Sequence, residues 1–153
     1  MPGIDECLLE AMLVPGARGA SIVDWISGLA LGAVGESPGS DHEATAAETA
    51  ELARLANEYT AFAPSGNAPH GLDGLGNADG RAGEGEEAAE GKDEGPPVED
   101  LIVTTRNGYH VVRFVETTFD SSVFLHLWLD RDLGNLAMAR LRLRSLAERL
   151  VLG

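Results

Sequence analysis

The chain has 153 residues, enough to bury one real core and too few for two well-formed ones. Its net charge of −14 at pH 7 argues against nucleic acid and anionic membrane faces as partners, because such a surface repels both. No run of roughly 18 apolar residues offers a membrane span, and Cys7, the single cysteine, excludes an intrachain disulfide.

The first residues, "MPGIDECLLE", carry acids where a signal peptide carries positive charge, which reads as a cytoplasmic protein. Within them Ile4, Cys7, Leu8, Ala11 and Met12 keep the spacing of one helix face, and Pro15-Gly16 stops that helix. Two apolar segments follow, 20–26 and 29–34, separated by Ser27-Gly28, where glycine supplies the positive φ of a tight turn. They read as a hairpin.

Ser40 and Glu43 form an S-x-x-E capping box that starts a second helix. Its apolar stripe is Leu52, Leu55, Ala56, Tyr59 and Phe62, with Glu51, Arg54 and Glu58 on the other side, and Pro64 ends it. From 64 to 97 the chain is acidic, holds nearly half of its 19 glycines and has almost no large apolar residue. Such a stretch cannot offset the entropy of ordering it, so it is expected to be a disordered linker inside a single domain spanning 1–153.

Beyond the linker, "VEDLIVTTR" and "YHVVRFVE" flank Asn107-Gly108, a strong hairpin signal, and "SSVFLHLWL" supplies a fifth strand. Leu136, Ala139, Leu143, Leu146 and Leu150 form the stripe of a last helix laced with arginine. The order is therefore α-β-β-α-β-β-β-α. Short links imply an antiparallel sheet, and apolar pairs such as Ile22-Val23 and Val111-Val112 put apolar side chains on both of its faces. The expected fold is α+β, five strands sandwiched between helices.

The sequence "VPG", an apolar strand, then "SGL" and "LAL" resembles the start of roadblock/LC7 domains. "HEATAAETAELARLANEYTAF" is similar to their central helix, "VEDLIVTTRNGYHVVRFV" to their third and fourth strands, and "DLGNLAMARLRLRSLAERL" to their last helix. The resemblance implies a non-catalytic homodimer, joined along the third strand and the central helix, that binds a small Ras-like GTPase and modulates its nucleotide cycle or location. It also tips Glu51, Arg54 and Glu58 from a merely solvated helix face to a partner-binding one. On the third strand, Leu101, Val103 and Thr105 share one side and Ile102 and Thr104 the other; as a sheet edge its unpaired amides need a cover, which an identical strand supplies. The alternative function is a scaffold of the same fold that binds another regulatory protein, with the acidic linker engaging a basic surface.

No other chemistry stands out. His42, His70, His110 and His126 lack neighbours at zinc-ligand spacing, although His110 and His126 could meet across the sheet. Cys7 lies on an apolar stripe with no adjacent base, which suits a buried thiol. Asp73, Asn77, Asp79 and Glu84 match four calcium-loop positions, but Leu75 and Ala78 break the pattern. No nucleophile, base and orienting group can be assembled, and no phosphate-binding loop is present. Neither a catalytic residue nor a metal nor a cofactor is expected.

Overall fold

A computed structural model describes residues 3–39, 41–62, 97–115 and 122–150. His70, the calcium-like residues 73–84 and the segment 64–97, apart from Pro97, lie outside the described residues. The elements are α1 (Ile4–Ala11), β1 (Ala17–Asp24), β2 (Leu29–Gly35), α2 (His42–Glu58), a 3₁₀ turn (Thr60–Phe62), β3 (Asp100–Thr104), β4 (Gly108–Val115), β5 (Val123–Asp130) and α3 (Leu136–Arg149). Apart from the 3₁₀ turn, they follow the order read from the sequence.

The five strands form one antiparallel sheet in the order β2-β1-β5-β4-β3. Strand alternation sends Val123, Leu125, Leu127 and Leu129 of β5 to one face, where they pack with Cys7, Leu8 and Ala11 of α1 and Ala139, Leu143 and Leu146 of α3. Phe124, Val23, Val112 and Phe114 point to the other face, against Ala46, Ala50 and Ala53 of α2. The sheet is thus buried on both sides, α1 and α3 beneath and α2 above.

Local chemistry moves several boundaries from their expected places. Asp24 Oδ1 accepts hydrogen bonds from the amides of Ile26, 2.9 Å, and Ser27, 3.3 Å, so the chain turns at Trp25 and β1 ends two residues early. Gly28, at φ 78°, takes the left-handed conformation expected of it. The N-cap of α2 is Asp41, whose carboxylate accepts from Glu43 N at 3.0 Å; Ser40, the cap expected from the sequence, lies outside the described residues. In the β3–β4 hairpin Thr105 N donates to Gly108 O at 2.8 Å, which makes Arg106-Asn107 the turn in place of Asn107-Gly108. Gly108 belongs to β4, and its glycine identity answers to space: a Cβ there would lie 2.3 Å from Leu129 O.

Candidate docking face

α2 is fastened at both ends. At its start, His42 Nε2 is 3.1 Å from Gly35 O, and the hydroxyls of Ser37 and Thr45 are 3.0 Å apart. At its end, Asn57 Nδ2 donates to Ala53 O at 3.0 Å while Asn57 Oδ1 accepts from Val98 N at 3.1 Å. That second bond fixes the helix against the chain entering β3.

The apolar stripe predicted for this helix faces the wrong way. The residues that meet the sheet are Ala46, Ala50 and Ala53, whose small side chains bring the helix close to Phe114 and Phe124, and Ala56 is buried a turn further on. Leu52, Leu55, Tyr59 and Phe62 point outward and are 42, 46, 54 and 53 % exposed, with the Tyr59 and Phe62 rings 6.4 Å apart. Only Ala56 of the predicted stripe is buried. The alanine spacing was the signal to follow: 46, 50 and 53 repeat at i, i+4 and i+7, and volume misled because large apolar residues sat on the other arc.

Glu51 and Glu58 are exposed and Arg54 is half-buried, together flanking the outward stripe. Among the described residues none of Glu43, Glu48, Glu51, Arg54 and Glu58 takes part in an ion pair.

β3 is a sheet edge. The bonds Thr105 N to Gly108 O and Phe114 N to Glu99 O mark bonded pairs at the two ends of its ladder with β4. Antiparallel alternation then turns the backbone groups of Leu101 and Val103 inward to β4, and those of Asp100, Ile102 and Thr104 outward. Leu101 packs beneath α2, whereas Ile102, Val103 and Thr104 are exposed. Thr105 lies beyond the strand, in the turn, where its hydroxyl accepts from Gly108 N at 3.0 Å.

The opposite edge is β2, and it is irregular. β1 meets it with a bulge, Ile22 facing Gly32 and Val23 facing Ala30, which leaves Leu31 unpaired. A bulged edge makes a poor template for further pairing.

The sheet brings His110 and His126 together on the α2 side, with Nδ1 of the first 3.0 Å from Nε2 of the second. His126 is buried, and burial, then the neighbouring His110 and His42, push its pKa down to about 3. His42 and His126 also line a small polar recess with Ser21, Glu36, Thr45 and Trp128. Among the described residues no group of three or more His, Cys, Asp or Glu is placed to hold a metal ion. Cys7 is wholly buried, and burial raises its thiol to about 11, with Glu10 adding to the effect and Arg149 opposing it. A thiol so protonated is no nucleophile. Among the described residues no helix is long and apolar enough to cross a membrane.

No family model and no curated protein matches the chain. Solved structures do. A roadblock/LC7 domain from Streptomyces avermitilis superposes with a TM-score of 0.61 at 15 % identity, over 97 % of this chain and 94 % of that one. The gliding protein MglB of Thermus thermophilus gives 0.60 at 17 % identity, over 95 % and 83 %. MglC of Myxococcus xanthus gives 0.52 at 21 % identity, over 95 % and 94 %. With the same five-stranded sheet and the same three helices around it, the chain has the roadblock/LC7 fold.

Proposed function

We propose that the protein is a non-catalytic, cytoplasmic, homodimeric adaptor that binds a small Ras-like GTPase and modulates its nucleotide cycle or location. The observation that carries this reading is the row formed by Leu52 and Leu55 on the outside of α2 and by Tyr59 and Phe62 just past its C-terminal end, four large apolar side chains held in water beside a helix whose other face is already packed. Such rows on a folded domain mark interaction sites. Glu51, Arg54 and Glu58 flank the row and serve as partner-binding residues.

The open edge of β3 supports the homodimer. Residues 101–105 form its seam: the outward amides and carbonyls of Ile102 and Thr104 pair with the same groups of a second copy. Antiparallel pairing of identical strands requires a two-fold axis perpendicular to the sheet. Both α2 helices then lie on one face of a continuous sheet, and their apolar rows form one platform.

A pull-down of small GTPases, loaded with GDP or with a GTP analogue, against the immobilised full chain tests the reading. Retention of a GTPase, lost when Tyr59 and Phe62 are both replaced by alanine, supports it. Binding to none of them in either nucleotide state overturns it.

A further inference from the structure

The charge that borders the outward row is mainly negative, with Arg54 the one cation beside it. Glu48 precedes Leu52 by four residues, Glu51 precedes Leu55 by four, and Glu58 follows Leu55 by three, so each carboxylate neighbours a leucine of the row. All three are exposed, and none is ion-paired among the described residues. The other carboxylate of the helix, Glu43, stands at its N-terminal end, where the dipole favours it. Arg54, half-buried, is the single arginine or lysine of the helix.

This pattern differs from that of α3, whose arginines are largely answered. Arg140 pairs with Asp100 at 2.9 Å, Arg149 with Glu10 at 2.9 Å and Arg144 with Glu148 at 3.6 Å. Exposed Met138 and Leu141 on that helix therefore sit among charges that are balanced apart from Arg142, whereas the row on α2 sits in a negative field. A second copy cannot neutralise it, because pairing through β3 sets two like-charged helices side by side. Like charges brought together in an interface cost free energy, and opposite charges at a rim steer the encounter.

We infer that the outer face of α2 docks a protein partner whose contact surface is an apolar ridge bordered by lysine or arginine. This rests on the reading of that face as the adaptor's docking site and adds the chemistry of what fits it. Leu52, Leu55, Tyr59 and Phe62 supply the buried contact; Glu48, Glu51 and Glu58 select the partner by charge and speed its approach.

Two synthetic helical peptides provide the probe, identical in their apolar ridge and flanked in one by lysine and in the other by glutamate. Binding to the full chain is measured at 50 and 300 mM salt, with amide chemical shifts locating the contact. The lysine-flanked peptide is expected to bind at residues 48–62, to weaken by roughly tenfold at the higher salt, and to outcompete the glutamate-flanked one by about the same factor. The triple variant Glu48→Gln, Glu51→Gln, Glu58→Gln, altered only at exposed positions, is expected to erase that preference, and Leu55→Ala with Tyr59→Ala to weaken both peptides. Equal binding of the two, preference for the glutamate-flanked one, contact elsewhere, or no binding of either overturns the inference. A GTPase retained equally by the triple variant and at both salt levels overturns it while leaving the adaptor reading intact. Charge-selective peptide binding with every GTPase ignored does the reverse.

Discussion

His110 Nδ1 and His126 Nε2 face each other at 3.0 Å, their rings stacked with centroids 5.2 Å apart, so one neutral imidazole donates and the other accepts. Two protonated rings would leave two donors opposed. Burial lowers the pKa of His110 and, with His110 and His42 nearby, takes that of His126 to about 3. Glu36 and His42 look into the same recess, and Arg18 lies over the Trp128 ring at 3.9 Å. In the unfolded chain both rings take up protons as pH falls through about 6.5, while in the fold they resist. Stability is therefore complete above that value and declines as pH falls toward 3, by about 1 kcal/mol per pH unit for His126. Urea midpoints measured between pH 7.5 and 4.5 should show this loss, and His126→Leu should flatten it. An unchanged slope in the variant would assign the acid sensitivity to other groups.

The alanine seam under α2 makes opposite predictions for two neighbouring positions. Ala53 is wholly buried against the sheet, and Ala53→Leu forces extra volume between helix and strands at a cost of roughly 1–3 kcal/mol. Leu55, two residues on, is 46 % exposed, and Leu55→Ala should shift stability by less than about 0.5 kcal/mol. Denaturant midpoints of the two variants check the orientation of the helix. A large loss at Leu55 with none at Ala53 would turn the helix over.

Order and type of the three α-helices and five strands were legible, because each rests on periodicity that the chain itself carries, whereas the helix expected to run to Pro64 ends at Glu58 and gives way to a 3₁₀ turn. Ile4, Cys7, Leu8 and Ala11 mark α1, and paired apolar residues such as Val111-Val112 announced a sheet covered on both faces. What was not legible depended on partners distant in sequence. The orientation of α2 is decided by the bulk of Phe114 and Phe124 beneath it, which leaves room for alanine and none for leucine. The β3–β4 turn is decided by Thr105, whose hydroxyl and amide close the hairpin one residue before the Asn-Gly pair. The contact of His110 with His126 needed β4 and β5 in register. On α2, Glu51, Arg54 and Glu58 were legible as surface, and the apolar row beside them was read as core.

Gly28 and Gly108 are both required, for different reasons that mutation separates. Gly28 holds φ 78° in open surroundings, its hypothetical Cβ no closer than 3.8 Å to Ala47 Cα. Gly28→Ala should cost about 1–2 kcal/mol from backbone strain alone. At Gly108 a Cβ would strike the carbonyl oxygen of Leu129 and the Trp128 indole nitrogen, at 2.3 and 3.0 Å, and neither strand can withdraw without opening the β4–β5 ladder. Gly108→Ala should cost more, on the order of 2–4 kcal/mol. Thermal unfolding of the two variants ranks them, and a milder effect at Gly108 would mean that the strands separate there with ease.

The seam proposed along β3 can be broken without harming the protomer, because the backbone groups turned outward are not those that bind β4. Proline at Ile102 or Thr104 removes an N–H that faces away from the sheet, a placement that edge strands tolerate. Proline at Val103 removes one that β4 uses. The double variant Ile102→Pro, Thr104→Pro should keep the circular dichroism of the parent and sediment as a monomer where the parent sediments as a dimer. Val103→Pro should instead lower the unfolding midpoint, with loss of the hairpin. A double variant that still sediments as a dimer would place the two-fold contact elsewhere on the surface. The platform of paired α2 helices would then have to be built from a different edge.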